Sequence, residues 1–437
     1  MFKKIILLVV GLSMVNSGFS QVPAPGKYSG KGLLITNSII HDGNGNVISN
    51  GWVKAEKGKI TAMGSGTPEA ASSNSFEIVD AKGKHLYPGF ILMNNPLGLA
   101  EVDAVRATLD MEETGQDNPN VHTLPAYNTD SDLIPTLRSN GILMAQISPR
   151  GGRISGLSSI VQLDAWNWED AVLVERDGMH LNWPSRFSRS GWWAEPGGAA
   201  EKSKEYQNQV AELESLFAEA KMYFAGSKAV SNPKLEGFKG LFAGSARLYV
   251  HANHPSEIIH SLDFASKMGL KNIVLVSGSQ VEEVAGLLKE KNIPVVLNRI
   301  HNLPDQNDAP VFQPARVPAA LMKAGLLFAL DYEGGMEIMG ARNLGFLAGS
   351  ATAYGISQED ALSLITRNPA KILGIDKRCG TIEAGKDASF FLSAGNALDM
   401  KTQNISQVWI QGRPVSMESK QTVLYEKFRK MLTDGRF

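Results

Sequence analysis

Apolar and polar positions follow two different rhythms along this chain. Between residues 32 and 84 the rhythm is short. The runs 33–40, 47–55 and 59–63 are short and rich in apolar and β-prone residues, as strands bounded by turns are. Between them lie Asp42-Gly43-Asn44-Gly45-Asn46 and Glu56-Lys57-Gly58, residue types that tight turns require. This predicts a small antiparallel β unit with a polar loop over 65–76. From Leu86 the rhythm lengthens. Short apolar runs at 86–93, 141–147, 160–163, 247–251, 272–276, 294–297 and 326–330 alternate with helical stretches. In 201–224 the residues Val210, Leu213, Leu216, Phe217, Ala220 and Phe224 share one helical face. Helices at 257–268 and 281–291 are each followed by a strand. Such alternation predicts βα units around a parallel sheet. Seven strands are clear and a closed barrel takes eight, so the aromatic, irregular region 171–196 holds the missing strand or a large loop. After helices at 358–365 and 370–373 the chain returns to β character at 388–392 and 408–410.

Composition narrows the possibilities. The 437 residues are 43% hydrophobic and 20% charged, with a net charge of -1, as in an ordinary globular protein. No basic excess points to nucleic acid. The single cysteine, Cys379, excludes an intramolecular disulfide framework and a cysteine-built metal site. The first twenty residues read as a secretory signal peptide: Lys3 and Lys4, a short apolar run to Val15, and Gly18-Phe19-Ser20 before a cut at Gln21. The mature chain is then expected to be exported, periplasmic or extracellular. Residues 21–31 read as a linker.

Three stretches carry a family resemblance: ITNSIIHDGNGNVISNGWVKAEKGKITAMG leading to VDAKGKHLYPGF, then LITRNPAKILGIDKRCGTIEAGKDASFFL, then VWIQGRPV. Asn368-Pro369-Ala370, Gly374, Gly380, Gly385, Lys386 and Asp387 stand where the amidohydrolase superfamily has the same residues. The chain resembles that superfamily, and within it the secreted, imidazolonepropionase-like proteins, to which 292–310 is also similar. The resemblance implies an α/β fold: a (β/α)8 TIM-like barrel over 86–382, with an aromatic insertion at 165–196. Beside it stands a small composite β-sandwich made of 32–85 and 383–437. It also implies a hydrolase of C–N bonds other than peptide bonds, in cyclic or linear amides. The alternative is a non-catalytic barrel that binds a small molecule or a related partner protein. A homodimer or a pairing with a related amidohydrolase is compatible with either.

The metal-binding residues of that family are altered here. Its first barrel strand continues Asp-x-His-x-His, and its two histidines hold a catalytic metal; this chain has Leu92, Asn94 and Pro96 at those places. The strand 5 ligand position is filled by His251, and the strand 6 position falls on Ser277 or Gly278. The strand 8 aspartate is Asp331, a metal ligand and base in the family. His251 and Asp331 are therefore the candidate catalytic and metal-binding residues. A catalytic zinc site usually has three protein ligands and a water. A third would have to come from Glu101, Asp103, His180, His254 or His301, so the count goes against one divalent metal, zinc or similar, at the usual place. Two further features stand out. Residues 165–193 gather Trp166, Trp168, Trp183, Trp192 and Trp193 with Arg176, Arg186 and Arg189, a composition suited to a ligand face, an oligomer interface or a packed lid. Pro149-Arg150-Gly151-Gly152-Arg153 could cradle an anion but lacks the spacing of a phosphate loop.

Overall fold

The computed structural model describes residues 23–68, 75–188, 201–226, 230–304, 308–334 and 336–434. The expected signal peptide and the positions Arg189, Trp192 and Trp193 lie outside them. In chain order the N-terminal strands are β1 (Gly32–His41), β2 (Val47–Glu56), β3 (Lys59–Ser65), β4 (Phe76–Asp80) and β5 (His85–Pro88). The barrel follows with β6 (Phe90–Asn95), β7 (Ile142–Ile147), β8 (Ile154–Gln162) and β9 (Val172–Asn182). A short pair, β10 (Phe187–Ser188) and β11 (Glu201–Lys202), precedes β12 (Arg247–His251), β13 (Ile273–Ser277), β14 (Val295–Leu297) and β15 (Phe328–Leu330). The last strands are β16 (Phe390–Ser393), β17 (Ile405–Ile410) and β18 (Arg413–Pro414).

The two ends of the chain share one eight-stranded sheet, ordered β18-β17-β16-β5-β1-β2-β3 with β4 on β1. The turn after β1 forms as its residues dictate: Asp42 Oδ1 accepts the amides of Asn44 (2.6 Å) and Asn46 (3.1 Å). The run expected as one strand over 86–93 serves two sheets. Its first half, β5, pairs with β16 of the terminal sheet, while β6 opens the barrel. Gly89 joins them at a crowded point, where any Cβ would lie 2.7 Å from the Leu143 side chain.

The second sheet holds eight strands in the order β15-β14-β13-β12-β9-β8-β7-β6. Residues 364–365 close it into a barrel: Leu330 N donates to Leu364 O (3.1 Å) and Ile91 N to Ile365 O (2.8 Å). This is the expected α/β barrel, with one departure. The missing strand is β9, inside the aromatic region, but β8 runs antiparallel to both its neighbours. Only residues 148–153 separate β7 from β8. A parallel return takes a dozen or more residues, so this hairpin, with Gly151 and Gly152 at φ 78° and 62°, turns the chain straight back. The β character of 383–437 ends in a helix, Lys420–Thr433, that the alternation did not reveal. Among the described residues no helix is long and apolar enough to cross a membrane.

Strand periodicity ties the two bodies together. On β16, Phe390 joins the core of the terminal sheet and its neighbour Phe391 joins the barrel core, because successive side chains point to opposite faces. Phe391 is fully buried, stacked at 5.6 Å on Tyr87 and edge-on at 5.0 Å to Phe90. Truncating Phe391 to alanine is expected to cost about 3–5 kcal/mol. Urea unfolding checks this, and a loss below about 1 kcal/mol would mean that the seam is not a well-packed core.

Candidate active site

The barrel mouth is built on a buried polar foundation. Asp177, on β9, accepts from Tyr249 Oη (2.6 Å), Arg247 Nη1 (2.8 Å) and Gln146 Nε2 (2.7 Å). Burial raises its pKa, and Arg247 opposes the rise. Gln146 turns its other end upward, where Oε1 accepts the backbone N–H of Asn94 at 3.0 Å. The Tyr249 ring stacks beneath His180, centroids 4.7 Å apart.

Asn94 is the hub of the next layer. Its φ is 47°, a left-handed conformation that asparagine tolerates better than most residues. Its Nδ2 donates to Asp331 Oδ2 (3.0 Å) and to Glu333 Oε2 (2.6 Å). Its Oδ1 and carbonyl oxygen accept from Arg150 Nη1 (3.2 Å) and Nη2 (2.7 Å). Arg150 also holds Glu337 through Nε (3.0 Å) and Nη2 (2.8 Å), the two-point geometry in which guanidinium binds carboxylate best. On the other side of the mouth, His180 Nδ1 and His251 Nε2 share a hydrogen bond of 2.9 Å. His251 Nδ1 lies 3.9 Å from Glu333 Oε2.

Charge follows from this packing. Burial, and then the Arg150 cation, push the His251 pKa down to about 3. His180 lies well below its ordinary range because of burial, then His251 and Arg150. Asp331 is pushed well above the carboxylate range by burial and then by Glu333 beside it. Arg150 stays firmly protonated: burial works against its charge, and Glu337, Glu333 and Asp331 overcome that. The fixed cation in this mouth is therefore a guanidinium among carboxylates.

Above this layer opens a cavity of about 460 Å³, lined by Asn182, Trp183, His251, Asn253, Asn298 and Glu333 among others. A smaller space of about 140 Å³ beside Arg299 shares Asn253, Asn298 and Glu333 with it. Of the two glutamates that line this space Glu333 is the more exposed; Glu257 is buried and accepts from Ser185 Oγ and the Arg186 N–H, and Asp331 has no solvent exposure.

The candidates read from sequence separate in space. His251, Asp331 and Asn94 converge at the mouth, and His180 joins them. Glu101 bonds Ser131 and Asn128, Asp103 is exposed, His254 caps the helix Pro255–Met268 and His301 bonds Ser350. Ser277 ends β13 fully buried. The glycine-rich turn is no anion cradle: Arg150 is bound as above and Arg153 pairs with Asp117 and Glu212. Of the aromatic insertion, Trp183 lines the cavity and bonds Tyr206 Oη, whereas Trp166 and Trp168 are exposed. Arg176 pairs with Glu175, and Arg186 lies over the Tyr206 ring. Glu333 and Arg150 were not among the candidate ligands and bases. Glu333 follows Asp331 by two residues, which is the only signal that pointed to it.

Comparison with known proteins agrees with this architecture. Residues 206–415 match the sequence model of the Amidohydrolase family. Among the curated proteins nothing matches. Of the solved structures, an amidohydrolase from Thermotoga maritima MSB8 superposes with a TM-score of 0.74 at 23% identity, covering 88% of this chain and 99% of that one. An adenosine deaminase from Xanthomonas campestris, with bound zinc, gives 0.54 at 18% identity over 95% of this chain and all of its own. Molinate hydrolase gives 0.55 at 14% identity, covering 90% and 96%.

Members of that family usually bind a divalent metal, and the donor set here does not fit one at the usual place. Among the described residues no three His, Cys, Asp or Glu side chains form a metal-binding group. The histidines bond each other, Asp331 is sealed beneath Asn94, and Arg150 supplies positive charge beside them.

Two outcomes are expected. Arg150→Ala leaves Glu337 and the Asn94 acceptors without their donor, so it should cost about 3–5 kcal/mol in urea unfolding, and a loss below about 1 kcal/mol would show that the guanidinium is dispensable. The second concerns acid. With its pKa at about 3, His251 stays neutral when folded, whereas in the unfolded chain it takes up a proton near pH 6.5. Below that pH the unfolded state binds more protons, so stability falls as pH drops from about 6.5 towards 3. Asp331 acts in the opposite sense, since its raised pKa favours the folded state at low pH. His251→Gln should flatten the acid side of a stability profile, and an NMR titration of His251 with a midpoint near 6.5 would refute the assignment.

Proposed function

We propose that the chain is an exported amidohydrolase-type protein whose barrel mouth binds a small molecule bearing an amide C–N bond, without the metal-activated water of the family. Its lineage is that of hydrolases acting on C–N bonds other than peptide bonds. One observation carries the reading. The strand 1 position expected to hold a metal-binding histidine is Asn94, whose amide is already spent on Asp331 and Glu333 while Arg150 binds its oxygen. A metal ion would have to displace that whole junction.

The cavity supports a polar, neutral or zwitterionic ligand. Asn253 keeps its amide donors, since its Oδ1 already accepts the Gly278 N–H, Asn298 keeps an Oδ1 unpartnered among the described residues, and Asn182 Nδ2 is held by Gly152 O and Ser155 Oγ; Trp183 gives one apolar wall, and Glu333 and His251 give a paired base and acceptor. An amide carbonyl and N–H have matching needs.

A second reading has one observation in its favour: the Glu333 carboxylate lies 3.9 Å from a neutral His251 imidazole at the cavity wall. Together they could take a proton from a water attacking a bound amide. Both readings need the same ligand class and differ in turnover.

The test is made on mature protein purified without a metal-affinity tag. Elemental mass spectrometry is expected to find no stoichiometric zinc, manganese or iron. A panel of lactams and N-acyl amino acids, followed by calorimetry, is expected to yield a binder whose affinity falls at least about tenfold in Glu333→Gln. Hydrolysis that chelators abolish would overturn the proposal. Hydrolysis that survives chelators and is lost in Glu333→Gln would select the second reading.

A further inference from the structure

The barrel has a second buried polar group at the end opposite its mouth. Gln162, the last residue of β8, pairs with Met144 near the start of β7, so residues 163–166 emerge at that far end. Arg138 closes the helix Leu133–Arg138 there and is 2% exposed. Its Nη1 donates to Leu163 O (3.1 Å) and to Asp164 Oδ1 (2.7 Å). Its Nε and Nη2 are buried as well, and among the described residues neither has a partner. These two nitrogens form one edge of the planar guanidinium. Arg150 uses the same pair to hold Glu337 at the mouth.

The charge around Arg138 is as incomplete as its hydrogen bonding. Asp164, the buried carboxylate it meets, is shared. Asp164 Oδ2 accepts the Gly26 N–H at 3.0 Å and lies 4.0 Å from Arg413 Nη2. Two guanidinium groups thus lean on one anion. Burial holds Arg138 below its ordinary pKa in spite of Asp164, whereas Arg150 stands above it among its carboxylates. Unpaired donors of a buried cation are costly, so a partner for this edge would be bound with some force.

A cavity of about 280 Å³ adjoins Arg138. Tyr127, Ile134, Leu163, Ala165 and Trp166 give it mostly apolar walls, and Pro25 borders it from the N-terminal arm. Asp130 also borders it but is exposed, where water screens its charge. Ligand pockets run from roughly 300 Å³ upwards, so this one suits a small molecule. We propose that it binds a small monocarboxylate with an apolar or aromatic body, gripped at two points by Nε and Nη2 of Arg138. Two parallel N–H groups match the two oxygens of a carboxylate, and one anion balances the surplus guanidinium. The apolar walls would leave the remaining oxygens of a phosphate unpaired, which burial penalises. The site is separate from the barrel mouth and does not depend on what the mouth does.

The test uses the mature full chain and two probes of one shape, benzoate and its neutral isostere benzamide. Calorimetry at neutral pH should give benzoate an affinity at least about tenfold above that of benzamide. Arg138→Lys keeps a cation for Asp164 but loses the two-nitrogen edge, and should weaken benzoate at least about tenfold. A second variant leaves the buried ion pair in place: Ala165→Phe fills the cavity from its wall and should abolish binding while the protein stays folded. Glu333→Gln alters the mouth and should leave benzoate binding as it was. Absence of benzoate binding up to about 5 mM overturns the site, as does equal affinity for the two probes. Binding that survives both Arg138→Lys and Ala165→Phe overturns it too. Loss in Glu333→Gln would place the acid in the mouth and would also overturn it.

Discussion

Carboxylates gathered at a barrel mouth must be paired or protonated, and here Arg150 pairs with Glu337 while burial beside Glu333 holds Asp331 well above the carboxylate range. Asp331, Glu333 and Glu337 meet within reach of Arg150, with Asn94 between them. A buried anion without a partner costs several kcal/mol, so this junction decides what the mouth can hold. In a metal-dependent relative the same need is met by a divalent ion. A guanidinium satisfies it too, but it is planar, fully occupied by hydrogen bonds and unable to give up a proton near neutral pH. It organises the site without lending Lewis acidity. The neutral histidines follow from it, because the Arg150 cation is one of the reasons that both stay unprotonated.

The rest of the architecture keeps that junction in place. The foundation of Asp177, Tyr249, Arg247 and Gln146 fixes Asn94 from below, since Gln146 spans from Asp177 to the Asn94 backbone. The β5–β6 run links the terminal sheet directly to the strand that carries Asn94. Phe390 and Phe391 place adjacent side chains in two different cores.

Much of the fold was legible because periodicity is local. Short β-rich runs between turns found the terminal sheet, the βα rhythm found the barrel, and the turn residues after β1 formed the turn that their chemistry requires. The direction of β8 was not legible. Period two gives a strand but not its partner's sense, and only the shortness of the 148–153 connection discloses it. The site was half legible. His251 and Asp331 sit at strand ends, where the pattern placed them, and Asn94 marked the altered position. Glu333 and Arg150 escaped because their roles depend on contacts with residues 239 and 56 positions away in the chain. The last helix escaped because strands β16 to β18 precede it within the same terminal segment.

The antiparallel β8 and the position of Arg150 have a common origin. In a regular βα unit the segment after the second strand would run into a helix on the barrel's outside. Here the hairpin turns back at once, and its first residues stay at the mouth. Arg150 is one of them, three residues beyond the end of β7. Gly151 and Gly152 take positive φ angles that most other residues would adopt only under strain, and a side chain at Gly151 would press on Glu112 at 3.2 Å. The shape of this turn is what aims Arg150 at Asn94 and Glu337. Restoring histidines at Asn94 and Pro96 would therefore leave a cation in the mouth, and the strand 6 position would still be Ser277 or Gly278. A metal in this mouth would call for changes on two strands and in a hairpin, because Arg150, Asn94 and the carboxylates hold one another in a single arrangement of charge.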